Sequence, residues 1–480
     1  MNCVELVLTH SRECPDRTAL MLYSNGWNKT TFGELLELAE RAQSYYLKQG
    51  VSPGDTVLLL EGLTVRLYAT LIALLSLGVT VVLVEPWMPI AKIEKTIQLV
   101  KPKAFISTTF GFLWGYRVRA IRNIPHWIRV SKITSAAREG SLKIEDVEPR
   151  RKGIVTFTSG TTGDPKGVVR DQGYLIQQYE ILSKNLHSHS GSDQEIRGND
   201  LCIFANFALM NLASGRGSII VHPAWKDEAL RALDGLPASE RPETMTAGPA
   251  FLMKLMENAK LPSLKAAHIG GALTDCALFE KAFKQWPEAE WSHIYGGSEV
   301  EPVALTDARE AVKQSREKDF FQTLYLGQPV PEISSQLGED GLWVAGPHVC
   351  PEYVGNIEET RAFKRKDESG VLWHYMGDRI EKEGAGWWYQ GRSNQKSEDF
   401  LLEQRIYSFL QSSRSFVHRK RDTDHRWLMG ENLKSRAAEI KKTFPEIQGV
   451  VEAKIYRDRR HRARIDRALS LKKGAPWVAG

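Results

Sequence analysis

The segment SGTTGDPKG, residues 159–167, combines residue types that bind phosphate. It contains three glycines, three hydroxyl side chains and one lysine. Glycines let backbone N–H groups approach an anion closely, and successive N–H groups form a concave nest for it. The hydroxyls of Ser159, Thr161 and Thr162 add donors, and Lys166 adds a positive charge suited to phosphate. This composition favours a phosphate-binding loop over an ordinary glycine-rich turn.

Two common nucleotide-binding motifs do not fit the sequence. Pro165 precedes Lys166 at the position where a Walker loop has glycine. The sequence also lacks a G-x-G-x-x-G motif behind a predicted strand, so a dinucleotide-binding fold has no support. The predicted phosphate loop is therefore of another kind.

Helical and strand-like segments alternate on both sides of this loop. Residues 30–50 are typical of an amphipathic helix, with Thr31 and Glu34 as a capping box and Gly50 at its end. Helix and strand patterns alternate to about residue 110 and again over residues 200–294. This alternation predicts an α/β fold with largely parallel sheets.

The residue composition changes twice towards the C-terminal end of the sequence. Residues 326–389 form short strand-like runs rich in Gly, Trp and Tyr, which predict a small β unit. A polar stretch and a basic region follow Arg392. We therefore predict a large N-terminal domain over residues 1–390 and a small α+β lid domain over residues 391–480.

Composition indicates a folded, intracellular protein. Of the 480 residues, 42% are hydrophobic and 25% are charged, which excludes disorder as the main state. Five scattered cysteines without a C-x-x-C pair predict a reduced, cytoplasmic protein without a cysteine-based zinc site. We read no signal peptide at the N-terminus. The uncharged stretch Leu67–Val84 is divided by Gly78, which favours a buried helix and a buried strand over a membrane span.

Positive charge is concentrated near the C-terminus. The chain has a net charge of +6, whereas residues 411–480 contain 18 Lys and Arg against 8 Asp and Glu. Such a region is compatible with nucleic acid, with an acidic membrane, or with a lid over a polyanionic small ligand. Because the sequence contains no nucleic-acid motif, we expect no nucleic-acid partner.

Several motifs together resemble the adenylate-forming superfamily of acyl-CoA synthetases, peptide-synthetase adenylation domains and luciferases. TSGTTGDPKGV resembles the signature of that superfamily. The remaining motifs follow in family order: HIGGAL at 268–273, YGGSE at 295–299, LGQPVP at 326–331, GLWVAGPHV at 341–349, MGD at 376–378 and YQGR at 389–392. The resemblance covers residues 31–467.

The resemblance implies a role for each motif, with ATP and Mg²⁺ as the ligands. Lys166 would hold the β- and γ-phosphates, Glu299 and Thr162 the magnesium ion, and Asp378 with Arg392 the ribose. Lys166, Glu299 and Arg464 are the candidate catalytic residues. The candidate nucleotide-binding residues are Thr158, Ser159, Gly160, Thr161, Thr162, Gly163, Lys166, Gly270, Gly271, Ala272, Tyr295, Gly296, Ser298, Asp378 and Arg392.

Some motifs resemble one branch, the olefin β-lactone synthetases. These are YGGSEVEPVAL with Pro302 and Val303, HYMGD at 374–378, and RDRRHRARIDR at 457–467. In that branch a 3-hydroxy acid is adenylated, and its own hydroxyl then displaces AMP to close a lactone without a thiol cofactor.

The sequence departs from the family pattern at three places. Arg464 stands where the family has a lysine that contacts carboxylate and α-phosphate; Lys454 or Lys472 could replace that lysine. The stretch SNQKSEDFLLEQ lacks the glycine-bearing loop associated with thioester formation, which leaves a role for CoA open. The segment 204–210 lacks the aromatic-His pattern of the acyl pocket, and its residues Phe204, Phe207 and Met210 fit a pocket wall and plain core equally well.

The leading hypothesis is an AMP-forming ligase that converts a carboxylate, such as a fatty or 3-hydroxy fatty acid, to an acyl adenylate and pyrophosphate. β-Lactone closure and transfer to CoA are alternatives for the second step. A nucleotide-binding homologue with impaired turnover is a further alternative, because of Arg464. The identity of the acid and the oligomeric state cannot be read from the sequence.

Overall fold

The structure is a computed structural model that describes residues 1–85, 88–159, 165–186, 198–221, 225–419, 425–457, 465–473 and 477–479. These residues form 25 β-strands and 16 α-helices. The strands are β1 (Thr18–Tyr23), β2 (Trp27–Thr31), β3 (Thr56–Leu60), β4 (Thr80–Leu83), β5 (Ala104–Ser107), β6 (His126–Arg129), β7 (Lys152–Ser159), β8 (Pro165–Asp171), β9 (Asn199–Cys202), β10 (Ser218–Ile220), β11 (Pro242–Ala247), β12 (Ala266–Ile269), β13 (Glu290–Gly297), β14 (Val300–Asp307), β15 (Tyr325–Gly327), β16 (Ser334–Gly338), β17 (Gly341–Ala345), β18 (Lys364–Lys366), β19 (Leu372–Tyr375), β20 (Asp378–Glu383), β21 (Gly386–Arg392), β22 (Ser415–Arg419), β23 (Arg426–Gly430), β24 (Ile447–Glu452) and β25 (Trp477–Ala479). The helices are α1 (Val4–Glu13), α2 (Phe32–Lys48), α3 (Val65–Ser76), α4 (Ile90–Val100), α5 (Thr109–Gly115), α6 (Arg119–Arg122), α7 (Gln172–Leu186), α8 (Ala205–Ala213), α9 (Asp227–Arg231), α10 (Pro249–Met256), α11 (Cys276–Gln285), α12 (Ala308–Glu317), α13 (Ile357–Phe363), α14 (Ser397–Leu410), α15 (Ala437–Thr443) and α16 (Arg467–Lys473).

Two large sheets dominate the N-terminal part. The first has eight strands in the order β14-β13-β12-β11-β9-β10-β1-β2, and the second has six in the order β6-β5-β3-β4-β7-β8. Inner strand pairs are parallel in both sheets, and antiparallel pairs occur only at their edges. The largest apolar cluster joins both sheets through α1, α2, α3, α7 and α8.

Each large sheet also carries helices on its other face. Helices α9 to α12 pack on the eight-stranded sheet, and α4 to α6 pack on the six-stranded sheet. The strands are therefore covered on both faces, which explains their continuous apolar runs. The fold class predicted from the sequence is confirmed.

Local predictions from the sequence are confirmed at two helices. Thr31 accepts a hydrogen bond from the backbone N–H of Glu34, and the Glu34 carboxylate accepts one from the N–H of Thr31, which completes the capping box of α2. The uncharged stretch Leu67–Val84 divides into α3 and β4, and Gly78 between them has φ +63°. Within the described residues, no helix is long and apolar enough to cross a bilayer.

Two small antiparallel sheets follow the large ones, as predicted for the β unit. One has the order β16-β17-β19-β18 and the other β15-β21-β20. The last sheet, β22-β23-β24-β25, lies entirely after residue 414 and packs with α14 and α15 around its own apolar cluster. The fold thus has a large N-terminal part and a small C-terminal part, whereas the boundary at residues 390 and 391 stays a prediction.

Candidate active site

Asp378 is the centre of a buried polar cluster built by three strands. Its carboxylate accepts hydrogen bonds from the Tyr295 hydroxyl at 2.7 Å and from the Tyr389 hydroxyl at 3.3 Å. The guanidinium of Arg392 lies 3.0 Å from the same carboxylate. Asp378 begins β20, and its pairing with Arg392 in β21 fixes the distance between the two side chains. The sequence separates Tyr295 from Asp378 by 83 residues, and the fold brings them together.

The environment of Asp378 keeps its neighbours in their donor forms. Burial and then the Asp378 carboxylate raise the pKa of Tyr295 well above its ordinary value. The same carboxylate raises the pKa of Arg392. A fixed carboxylate of this kind can accept hydrogen bonds from a pair of neighbouring hydroxyls, as a ribose presents them.

Glu299 lies in the tight connection between β13 and β14. Its backbone carbonyl accepts a hydrogen bond from the N–H of Cys350 at 2.7 Å, and its carboxylate Oε1 accepts one from the Tyr353 hydroxyl at 2.9 Å. Its other oxygen, Oε2, has no hydrogen-bond partner among the described residues. A half-buried carboxylate with one open oxygen suits a hard cation such as Mg²⁺.

The glycines and Ser298 beside Glu299 have structural reasons of their own. A Cβ on Gly296 would lie 3.0 Å from the carbonyl oxygen of Val300, so a side chain there would strain the hairpin. The carbonyl of Ser298 accepts a hydrogen bond from the Arg170 guanidinium at 2.8 Å. Arg170 also donates to the Thr156 hydroxyl at 2.7 Å, which ties the strands flanking the phosphate loop to the Glu299 turn.

Lys166 is buried and already has a partner. Its ammonium lies 2.6 Å from the Glu359 carboxylate and 3.4 Å from the centroid of the Phe363 ring. Both partners belong to α13, whose first turn is capped by Asn356 through the N–H of Glu359. The residue that the sequence assigns to phosphate is therefore held by a helix nearly 200 positions further along the chain.

A second buried lysine lies close by. Lys364 is 5% exposed, and its ammonium lies 3.4 Å from Nδ1 of His374 and 5.3 Å from the centroid of the Tyr353 ring. Burial and then the Lys364 charge lower the pKa of His374 well below its ordinary value, so the imidazole is neutral at neutral pH. Lys166 and Lys364 therefore flank the tyrosine that donates to Glu299.

The turn after β12 carries Gly270 and Gly271 at the same sheet edge as the end of β13. A Cβ on Gly270 would lie 3.1 Å from the carbonyl oxygen of Ile294, and Gly271 has φ +80°, so both positions favour glycine. The Phe204 ring lies beside Gly248, which faces the carbonyl of Gly270. Ala272 follows in the same turn.

Phe207 and Met210 belong to the main core, and Phe204 is half-buried.

Asp275, just after this turn, connects it to the C-terminal part. Its carboxylate accepts hydrogen bonds from Gln322 at 3.1 Å and from Ser413 at 3.2 Å. Burial raises the pKa of Asp275, and the charge of Arg457 opposes that shift. Arg457 also forms a β-bridge with Ile465.

Part of the predicted site lies outside the described residues. This holds for Gly160, Thr161, Thr162, Gly163 and Arg464. Thr158 and Ser159 are described only as the last residues of β7, which pairs with β8 so that Thr158 lies opposite Lys166. The phosphate loop therefore connects two antiparallel strands. Lys454 and Lys472, the alternatives to Arg464, are both exposed.

Four residues of the candidate site were not among the site residues predicted from the sequence. Tyr353 and Tyr389 donate to the predicted carboxylates, Glu359 pairs with Lys166, and Lys364 adds a charge. Tyr389 is the one with a local signal, because it begins the YQGR motif at 389–392. The other three depend on contacts between distant segments. Among the described residues, no three Asp, Glu, His or Cys side chains form a metal site, and the assignment of Mg²⁺ to Glu299 stays a prediction.

Comparison with known proteins assigns the chain to the AMP-forming ligases. The chain belongs to the AMP-binding enzyme family, whose profile matches residues 8–354.

Individual relatives have low sequence identity to this chain, but the matches cover most of it. It is 24% identical over 392 residues to an olefin beta-lactone synthetase of Stenotrophomonas maltophilia, covering 73% of this chain and 70% of that protein. It is 23% identical over 387 residues to nonribosomal peptide synthetase 30 of Fusarium vanettenii, covering 77% of this chain and 6% of that much longer protein. The structure of O-succinylbenzoate coenzyme A synthetase from Bacillus subtilis in complex with AMP superimposes with a TM-score of 0.78 at 16% identity, covering 98% of this chain and 99% of that one.

Proposed function

We propose that the protein uses ATP to activate a carboxylic acid as an acyl adenylate, with a fatty or 3-hydroxy fatty acid as the substrate. The observation that carries this proposal is the Asp378 cluster, in which Tyr295, Tyr389 and Arg392 surround one carboxylate. The proposal also places the domain boundary between residues 390 and 391, so that the C-terminal lid closes over this site.

In the proposed reaction, a carboxylate oxygen of the acid attacks the α-phosphorus of ATP. The bond from that phosphorus to the bridging oxygen breaks, and pyrophosphate leaves with the electron pair. Both reactants are anionic, so the protein contributes mainly positioning and charge neutralisation. No proton needs to move in this step, which fits a site composed of fixed donors and cations.

Each described residue then has a defined task. Asp378 accepts hydrogen bonds from the ribose, and Arg392 keeps that carboxylate in place. Lys166 leaves Glu359 and neutralises phosphate oxygens, with Lys364 adding positive charge behind Tyr353. Glu299 would hold Mg²⁺ through its open oxygen, and the metal would supply charge compensation for the departing pyrophosphate. Gly270 and Gly271 leave room for the adenine, and Phe204 beside them would line the acyl pocket.

Lactone closure is the proposed second step. Matches at HYMGD and at Pro302 and Val303 support it, as does the similarity to an olefin beta-lactone synthetase. The 3-hydroxyl oxygen would attack the acyl carbon, AMP would leave, and the hydroxyl proton would pass to solvent or phosphate. Such an internal attack needs only a bound conformer that holds the hydroxyl near the carbonyl.

Transfer to CoA is the second candidate for this step. It is favoured by the similarity over 98% of the chain to the fold of a coenzyme A synthetase. Impaired turnover is the third candidate, motivated by Arg464 and by the pairing of Lys166 with Glu359.

Two measurements separate these outcomes. Carboxylate-dependent exchange of labelled pyrophosphate into ATP tests adenylation, and its absence over fatty, 3-hydroxy, aromatic and amino acids would leave a binding protein without turnover. Incubation with ATP, Mg²⁺ and racemic 3-hydroxy fatty acids, with and without CoA, tests the second step. We expect a β-lactone that forms without CoA, whereas a CoA-dependent thioester and no lactone would contradict the lactone proposal.

A further inference from the structure

The outer surface of α4 to α6 exposes an unusual number of large apolar side chains. Twelve such side chains are exposed in the described part of the chain, and five of them lie within residues 90–116. The most exposed are Phe110 at 80%, Leu113 at 65% and Tyr116 at 62%. Large apolar side chains concentrated on one part of a protein surface indicate a site of interaction with a protein or a membrane.

The exposed side chains stand on a rigid base. Thr108 caps α5 by accepting a hydrogen bond from the N–H of Gly111 at 3.0 Å. Beneath the helix, the Trp127 ring contacts the rings of Phe105, Phe112 and Tyr116, with centroid distances of 5.2, 5.2 and 4.9 Å. Phe105, Phe112 and Trp127 thus form a packed base, from which Phe110 and Leu113 project. Tyr116 lies at the border, since it contacts Trp127 and is still 62% exposed.

The same surface is strongly basic. Residues 90–122 contain seven Lys and Arg against one acidic residue, Glu94, whereas the whole chain has 64 against 58. One of the seven, Lys103, is paired with Asp55 outside this segment. Arg117, Arg119 and Arg122 are exposed and form no ion pair with the described residues. Glu94 accepts a hydrogen bond from the backbone N–H of Arg119 at 3.0 Å, so it holds α6 against α4. The surface therefore carries a net positive charge beside its apolar side chains.

This surface adjoins the edge of the sheet that carries the phosphate loop. Helix α5 begins at the carboxyl end of β5, and the phosphate loop begins at the carboxyl end of β7. The strands β5, β3, β4 and β7 are parallel neighbours, so both carboxyl ends lie on one edge. Three strand spacings separate them by roughly 14 Å.

We propose that the surface formed by α4, α5 and α6, here called the docking face, binds an anionic lipid membrane. Phe110, Leu113 and Tyr116 enter the headgroup region, and Arg117, Arg119 and Arg122 contact lipid phosphates. Apolar side chains that project singly, with aromatic and basic residues beside them, match the interfacial layer of a bilayer. An acidic protein would match the charge, but the projecting residues give it no groove to fill. The proposal does not depend on the proposed reaction.

Flotation with lipid vesicles, without ATP or acid, tests the docking face directly. Vesicles of phosphatidylcholine with about one third phosphatidylglycerol, at roughly physiological salt, serve as the probe. We expect the wild-type protein to float with these vesicles and to remain unbound with pure phosphatidylcholine. The variant Phe110→Ser with Leu113→Ser should bind about tenfold more weakly, because it loses the apolar contribution. Failure of the wild type to float would overturn the proposal.

Matched controls separate the docking face from exposed apolar residues and positive charge elsewhere. Met253→Ser with Val371→Ser removes two exposed apolar side chains outside residues 90–122 and should leave flotation unchanged. Arg117→Glu with Arg122→Glu should abolish binding, whereas Lys281→Glu with Lys442→Glu, at exposed lysines elsewhere, should not. If the lysine reversals abolish binding and the arginine reversals do not, basic surface outside the docking face is responsible and the proposal is wrong.

Discussion

The two ends of the candidate nucleotide site are prepared for a charged ligand in opposite ways. At Asp378, two tyrosines and an arginine hold a carboxylate in place, and that carboxylate can still accept further hydrogen bonds. At Lys166, the ammonium is buried against Glu359 and the face of Phe363. The Asp378 carboxylate is therefore arranged to accept hydrogen bonds from a ligand, whereas the charge of Lys166 is already neutralised by Glu359.

This difference teaches how each end must respond to ATP. In the proposed site, ribose hydroxyls would add hydrogen bonds to a carboxylate that Tyr295, Tyr389 and Arg392 already hold, so we expect little reorganisation there. Phosphate oxygens at Lys166 would compete with Glu359 for the ammonium, and a displaced carboxylate must find new partners or water. Because a buried charge without a partner is costly, the exchange of partners at Lys166 has to be coupled to the arrival of phosphate.

The largest effect on activity is expected from substitution of Asp378. Asp378→Ala should lower carboxylate-dependent pyrophosphate exchange on the order of 100-fold, because it removes the acceptor and leaves Tyr295 and Arg392 unpaired. Asp378→Asn should fall between Ala and wild type, since an amide oxygen still accepts. Asp340→Ala, at an exposed carboxylate of the neighbouring sheet, serves as the control. Wild-type exchange in Asp378→Ala would remove the ribose assignment.

The role of the Lys166–Glu359 pair can be tested by measuring the free energy of unfolding. Glu359→Gln should lower the free energy of unfolding by about 3 kcal/mol, because it leaves a buried ammonium without its counterion. Addition of ATP should then raise the melting temperature of the variant by more than it raises that of the wild type. Glu280→Gln breaks the more exposed pair with Arg316 and should cost less than about 1 kcal/mol. If Glu359→Gln and Glu280→Gln lower the free energy of unfolding equally, burial of the Lys166 pair does not contribute to stability.

Glu299 lies between the two ends and should affect the metal more than the nucleotide. Glu299→Gln is expected to raise the Mg²⁺ concentration for half-maximal exchange about tenfold, with a smaller change in the Michaelis constant for ATP. Titration of Mg²⁺ at saturating ATP measures this. Glu352→Gln, at an exposed carboxylate paired with Lys152, provides a nearby comparison. An unchanged Mg²⁺ requirement in Glu299→Gln would contradict the metal assignment.

The smallest effects are expected from the tyrosines, and they should not depend on pH. Tyr295→Phe and Tyr353→Phe each remove one hydrogen bond to a carboxylate, which corresponds to about a fivefold loss of activity. Burial raises the pKa of both hydroxyls, so each stays protonated and keeps donating in mild alkali. The fold-loss should therefore be the same at about pH 7 and pH 9.5. A wild-type activity that falls near pH 10 and is flattened by Tyr295→Phe would show that the hydroxyl titrates.

Local sequence signals predicted the parts of the fold that depend on neighbouring residues. The capping box at Thr31 and Glu34 and the break at Gly78 are decided within a few positions, and both are present in the structure. The order of the motifs was sufficient to predict the family and the class of reaction, because several motifs together occur in the order that the family has. The glycines at 270 and 296 were predicted as ligand contacts, and the structure adds a packing reason for each.

Contacts between distant segments could not be predicted in this way. Lys166 and Glu359 are 193 positions apart, and the sequence around Glu359 reads as an ordinary acidic first turn of a helix. Tyr353 and Tyr389 fit equally well in an apolar core. Only the packing of α13 against β8 shows that the predicted phosphate lysine has an internal competitor. The roles of Thr161, Thr162, Gly163 and Arg464 stay predictions.

Cys350 gives the protein an internal reporter. Its backbone N–H is bonded to Glu299, its side chain is fully buried, and burial raises the pKa of its thiol. Because only the thiolate reacts readily with alkylating reagents, labelling at this position requires the surrounding segment to open. The half-exposed Cys14 has no such barrier. The ratio of the two labelling rates therefore measures how often the segment behind Glu299 opens, and ligands that hold it closed should slow only the reaction of Cys350.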